Sequence, residues 1–196
     1  MSALFHLLSC AGLLLSPLVT TPPNSHRASV LLLNSVPKGA VRGDFDGDGV
    51  AEYVWLVPPR LLADTHTASA EDVDFGCVGP CTSVLRCSNP AFKPYRLSQS
   101  IGGELTRFAH LGSGRRDYLG ILPDWFTSCW RAYYVLTYRQ GRWQLGVPTF
   151  DTYCNQWEPP VVPIERDRRV PGHVLIRYST LEHDDIVVKT KSVPLK

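Results

Sequence analysis

Three aspartates at alternate positions, Asp44, Asp46 and Asp48, carry the clearest chemistry in the chain, with Gly47 and Gly49 beside them and Glu52 following. Calcium is a hard cation that takes six to eight oxygen ligands on a flexible frame. Counting Asp44 as position 1, carboxylates fall at positions 1, 3 and 5, and Gly49 at position 6 permits the sharp turn that gathers them. Val50 at position 7 offers its backbone carbonyl, and Glu52 at position 9 adds a fourth carboxylate, directly or through water. Four carboxylates this close repel one another strongly unless a cation sits among them. Position 12 is Trp55 rather than the bidentate glutamate of an EF-hand, and the residues after Glu52 read as a strand rather than a helix. The expectation is therefore a calcium loop leading into a strand, with the ion acting as a structural clamp. A solvated Asp/Gly turn with no ion is the competing reading, because both residue types favour turns for reasons of their own.

Other residue groups are less specific. Trp125 and Trp130 flank Cys129, and Trp157 follows Cys154. The three tryptophans form a ligand surface for a sugar or peptide, or else they pack against a Cys129–Cys154 disulfide as core, which is the commoner use of such rings. Cys77, Cys81 and Cys87 lack a fourth zinc ligand at a usual spacing, so a bridge within that group is the simpler account. No spacing supports Cys129 as a nucleophile beside His110 or His173, and no nucleophile-elbow signature accompanies any serine. Glu182, His183, Asp184 and Asp185 read as a solvated hairpin tip.

These residues must be positioned by strands. Apolar segments are short, rich in β-branched and aromatic residues, and bounded by Gly, Pro, Asn or Asp, with 16 prolines and 15 glycines in the chain. This is the pattern of an all-β domain. Strands are expected near 30–33, 53–57, 83–87, 105–110, 118–122, 133–138, 143–147, 174–178 and 186–192. Hairpins are expected across 139–142 and 180–185, with Lys189 and Lys191 on the solvated face of the last strand. The stretch 58–82 reads as a long surface loop with one helical turn at 68–72. Glu52-Tyr53-Val54-Trp55-Leu56-Val57-Pro58 also aligns with Asp117-Tyr118-Leu119-Gly120-Ile121-Leu122-Pro123, and a glycine-bearing turn precedes each. Such a period suggests two blade-like repeats, arranged as a partial propeller or an irregular β-sandwich. The second loop, ending Ser113-Gly114-Arg115-Arg116-Asp117, keeps the glycines and the last acid but replaces the central carboxylates. Arg115 and Arg116 would oppose a cation, so this copy is expected to be metal-free.

Residues 1–21 contain no Asp, Glu, Lys or Arg and are dense in leucine, and Pro22 and Pro23 end the run. The pattern fits a secretory signal peptide over 1–25, leaving a single domain at 26–196 and no membrane span in the mature chain. Leu7-Leu8-Ser9-Cys10 resembles a lipoprotein cleavage box, a minority alternative in which Cys10 carries a lipid. Export to the periplasm, cell surface or exterior suits two disulfides among the remaining five cysteines, with one cysteine left over. A net charge of +2 with 19% charged residues and no long basic run gives no footprint for nucleic acid.

The acidic loop and its strand resemble the calcium loops of FG-GAP/VCBS repeats, known best from integrin-type propellers. That resemblance implies ligand roles for Asp44, Asp46, Asp48, Val50 and Glu52. Glu52 stands where the family has Asp, and a clear Phe-Gly…Gly-Ala-Pro signature is absent. Together with 125–130, Cys154-x-Gln156-Trp157-Glu158 and Lys189-Thr190-Lys191-Ser192, the chain resembles small exported proteins of Bacteroidetes-type bacteria, a likeness that implies no activity. The expected function is a calcium-stabilised envelope β-domain that binds a protein or glycan. The alternative is a secreted polysaccharide hydrolase, which would need two acids about 5–9.5 Å apart in a cleft beside Trp125 or Trp157.

Overall fold

The computed structural model describes residues 36–62, 76–157 and 162–196. The expected strand at 30–33, the helical turn at 68–72, the leader and Cys10 lie outside these residues. Within them the chain is all-β, as expected, with three antiparallel sheets and none closed into a barrel.

The first sheet is a meander of β1 (Val41–Gly43), β2 (Glu52–Val57), β3 (Thr82–Cys87) and β4 (Tyr95–Ser98). A second meander has the same order: β5 (Gly103–Phe108), β6 (Tyr118–Pro123), β7 (Trp130–Arg139) and β8 (Arg142–Leu145), with β9 (Phe150–Tyr153) paired to the start of β7. The third sheet is β10 (Ile164–Arg166), β11 (His173–Glu182) and β12 (Asp185–Pro194). The two segments that align in the sequence, starting at Glu52 and at Asp117, thus enter the second strand of each four-stranded meander. The acidic loop links β1 to β2, and its degenerate counterpart links β5 to β6.

The second meander lies between two cores. Along β6 every residue is buried, and the strand's two-residue period sorts them. Leu119 and Ile121 join Val54, Leu85 and Leu97 of the first meander. Tyr118 and Leu122 join Ile164, Val174, Ile176 and Val193 of the third sheet. Adjacent β7 repeats the division, with Leu136 and Tyr138 on the first side and Tyr133 and Val135 on the second. A strand covered on both faces has no polar side to show, which is why Tyr118-Leu119-Gly120-Ile121-Leu122 reads as an unbroken apolar run.

Turn chemistry fixes the register at two hairpins. Gln140 and Gly141 both have positive φ (53° and 72°) between the paired Arg139 and Arg142, as a two-residue type I′ turn requires. His183 and Asp184 do the same (50° and 68°) between Glu182 and Asp185, without glycine. Glu182 to Asp185 are all exposed, and Lys189 pairs with Glu182. Where the 58–82 excursion leaves and returns, Leu61 bridges Cys77 and the Val78 amide donates to the Arg60 carbonyl at 2.9 Å.

Both expected disulfides are present: Cys129–Cys154 and, within the first cysteine group, Cys77–Cys81. Trp130 pairs with Tyr153 across β7 and β9, so Cys129 and Cys154 are the next pair outward and their bond closes that ladder. Cys87 is unbridged.

Gly120 shows how tightly the central sheet is filled. A methyl group there would lie 2.3 Å from the Tyr133 hydroxyl and 2.5 Å from the Phe108 ring. Gly120→Ala is expected to destabilise the protein by about 1–3 kcal/mol through overpacking. Denaturant unfolding checks this, and an unchanged midpoint would show that Tyr133 and Phe108 move aside without cost.

Candidate metal centre

The acidic loop is held from within and from beside. Gly47 and Gly49 adopt φ of +81° and +91°, a region open to glycine without steric cost. Their turns direct backbone N–H groups inward, and Asp44 accepts from Gly47 N at 2.8 Å through Oδ1 and from Gly49 N at 3.0 Å through Oδ2. Asp46 Oδ1 accepts from Asp48 N at 3.1 Å, and Asp48 Oδ1 accepts from Val50 N at 2.7 Å. These are Asx-type turns, in which each carboxylate organises the backbone two or more residues on. The outcome is that Asp44, Asp46 and Asp48 each bring a carboxylate oxygen to within 4.8 Å of the others. No lysine or arginine among the described residues pairs with any of the three.

Between these acids, Phe45 points the other way. It is fully buried in the core between the first two sheets and meets Trp143 edge to face at 5.7 Å. The Asp-Phe-Asp order therefore alternates outward carboxylate, inward ring, outward carboxylate, and the ring ties the loop to the core.

Glu52 occupies a different place from the aspartates. It is 3% exposed, and Oε2 accepts from the Phe45 amide at 3.1 Å. It stands outside the 4.8 Å cluster. Burial pushes its pKa up to about 7; the Phe45 N–H pulls against that rise, and the charges of Asp46 and Asp48 add to it. Asp46 is raised also, first by burial and then by its acidic neighbours, against the Asp48 N–H. Val50 is 58% exposed, so its carbonyl lies on an open segment of the loop.

The second loop braces the first. Asp117 is 3% exposed, and its Oδ2 accepts from the Asp44 amide at 2.8 Å and from Arg107 Nε at 2.8 Å. In return the Asp117 amide donates to the Asp44 carbonyl at 2.7 Å. Arg116 Nη2 donates to the Asp46 carbonyl at 3.0 Å. Glu52 and Asp117, the aligned acids of the two repeats, thus grip consecutive amides, Phe45 N and Asp44 N. Sequence reasoning missed this role of Asp117, although its alignment with Glu52 was a signal for a buried acid at that point. A Cβ on Gly43 would meet Phe45 at 2.8 Å and the Asp117 carboxylate at 3.0 Å, so glycine there admits both contacts.

The tryptophan group is divided among separate contacts. Trp157 packs against the core, donates from Nε1 to Thr152 Oγ1 at 3.1 Å, and has the Arg131 guanidinium 3.8 Å from its ring centre. Trp130 is 36% exposed and meets Tyr153 edge to face, while Trp125 is half-buried against Phe126. Asp124, beside Trp125, is engaged with Arg131 at 2.8 Å. Among the described residues, the acid next to Trp125 is thus held in an ion pair.

No family model, curated protein or solved structure matches this chain.

The buried Glu52 carboxyl has a consequence for stability. Its folded pKa stands above the ordinary value of 4.5, so between those values the folded state holds a proton that the unfolded state has released. By linkage, the contribution of Glu52 to stability in chelator is greatest below the ordinary value and falls as pH rises toward 7. Glu52→Gln should flatten that slope, measured as denaturation midpoints at pH 4.5 to 7.5 in chelator. An identical slope in the variant would remove Glu52 as its source.

Proposed function

We propose that the protein is an exported, calcium-stabilised β-domain of the cell envelope, acting by binding a protein or glycan rather than by catalysis. Convergence of three unpaired aspartate carboxylates on a loop braced from both sides is the observation that supports the calcium reading. The donor set is all hard oxygen, which suits calcium over thiophilic metals. Asp44, Asp46 and Asp48 would hold the ion, with the Val50 carbonyl completing one side and Glu52 acting directly or through water. Glycine turns and an open rim give the adaptable frame calcium accepts, whereas magnesium demands near-ideal octahedral geometry.

Such an ion would clamp. It neutralises mutual repulsion among the aspartates and favours the ionised state of Glu52, so its binding energy adds to folding energy. Two disulfides among the described residues fit an oxidising exported location. No helix among the described residues is long and apolar enough to cross a membrane. The FG-GAP/VCBS resemblance belongs to this same reading, supported by two four-stranded meanders that each carry a loop ahead of their second strand.

Calcium at about 100 times its Kd should stabilise the fold by about 2.7 kcal/mol, which is about 5–11 °C in Tm for a chain of this size. Chelator should reverse the shift, and Asp46→Asn with Asp48→Asn should abolish it while leaving the chelated Tm unchanged or higher. A calcium-insensitive melt, together with metal analysis finding no bound calcium, would end the proposal.

A further inference from the structure

Beside the acidic loop lies a cavity of about 590 Å³ whose character is opposite. Its lining includes Arg115 and Arg116 from the second loop, Arg139 from the end of β7, the glycine-rich backbone at Ser113, and Tyr118. No aspartate or glutamate lines it. Among the described residues none of the three arginines has a carboxylate partner. Arg116 donates to the Asp46 carbonyl, and Arg139 Nη2 lies 3.5 Å from the Tyr118 hydroxyl. Ser113, Gly114 and Arg115 make no hydrogen bond, ion pair or ring contact with any described residue. Their backbone N–H groups therefore have no acceptor among the described residues.

We propose that this cavity is an anion-binding site for a phosphate or sulfate monoester carried on a sugar-sized body. Guanidinium groups present planar forks that match tetrahedral oxyanions two hydrogen bonds at a time. Three arginines line one concave surface with no carboxylate partner among the described residues, although the acidic loop borders it, and an anion relieves the repulsion among them. A turn rich in glycine with uncommitted N–H groups adds neutral donors to the same site. The volume falls within the range of small-molecule pockets and exceeds what a bare oxyanion fills, which is the reason for the attached body. Gly47 of the acidic loop lines one wall, and the arginines line others with or without calcium in that loop.

The sequence of the second loop accords with this role. With Glu52 aligned to Asp117, the second repeat places Leu111 and Ser113 where the first has Asp46 and Asp48, and Arg115-Arg116 where it has Val50-Ala51, which exchanges acids for bases on the same framework.

The test is an amide NMR titration of the full chain at constant ionic strength, balanced with chloride. Glucose 6-phosphate and glucose 6-sulfate are the probes, with inorganic phosphate, inorganic sulfate and glucose alongside. Saturable shifts at Ser113, Gly114 and Arg115, tighter for a monoester than for its free anion, are expected. The stronger of the two monoesters identifies the group. Arg115→Ala with Arg139→Ala, both at exposed positions, should weaken binding at least tenfold. Arg96→Ala with Arg168→Ala, which removes equal charge elsewhere on the surface, should not. Linear shifts for both monoesters, equal response to glucose, or equal loss in the two double variants would overturn the proposal.

Discussion

Burial of β6 on both faces is the constraint from which the rest of the architecture follows. A strand whose six residues are all buried needs a cover above and below, and neither hairpin partner can supply one because both lie in the same sheet. The first meander covers one face and the third sheet covers the other. Gly120 sets the spacing on the Tyr133 side, since a side chain there would collide with rings that cross over it. Position of the acidic loop is a result of the same arrangement. Stacking the first meander on the second brings the loop before β2 against the loop before β6, so residues about 70 apart in sequence come within hydrogen-bond distance.

That meeting of loops gives the acidic cluster its rigidity. Carboxylates at the mouth of a flexible loop would separate to reduce repulsion, since exposed side chains gain entropy and hydration by doing so. Here the backbone is held at consecutive amides by two buried acids, Glu52 from its own strand and Asp117 from the neighbouring repeat. Phe45 adds an apolar anchor on the opposite side. Buried acids are costly unless hydrogen-bonded, and both of these are satisfied by backbone donors, with Arg107 also on Asp117. The framework thus uses two buried carboxylates for positioning and leaves the three aspartates at the rim.

Much of this was legible from residue types. Strands with four or more alternating or β-branched residues stood out, as did both hairpins and the Cys129–Cys154 bond, because period, turn residues and compartment each carry a local signal. The strands that escaped notice were β1, β4, β9 and β10, each of three or four residues. Too few alternations fit in that length, and Val41-Arg42-Gly43 or Ile164-Glu165-Arg166 becomes a strand only because a longer neighbour offers it a ladder. Side-chain partners were the least legible. Trp157 reads equally well as a sugar platform or as packing until Arg131 is seen over its ring. Glu52 reads as a ligand by spacing, whereas its depth depends on the fold of both meanders. Asp117 looked like the remnant of a lost metal loop, and its contact with Asp44 depends on sheet stacking that no local pattern encodes.

Arg116 shows how two opposite electrostatic surfaces can share one border. An arginine this close to three aspartates would ordinarily form an ion pair and cancel one of them. Instead its Nη2 donates to the Asp46 backbone carbonyl, and the Asp46 carboxylate is turned to the Asp48 amide. The contact fixes the loop's path without neutralising its charge. On the other side, Arg115 and Arg139 have no carboxylate partner among the described residues, and Asp117, the one acid in the second loop, is buried and engaged with Arg107 and Asp44. A part-buried ion pair at Asp117 and a backbone bond at Arg116 therefore keep negative and positive groups from collapsing onto each other. Like charges crowded within each loop cost stability in the isolated chain, and a ligand of the opposite sign, as proposed for each side, would relieve that cost.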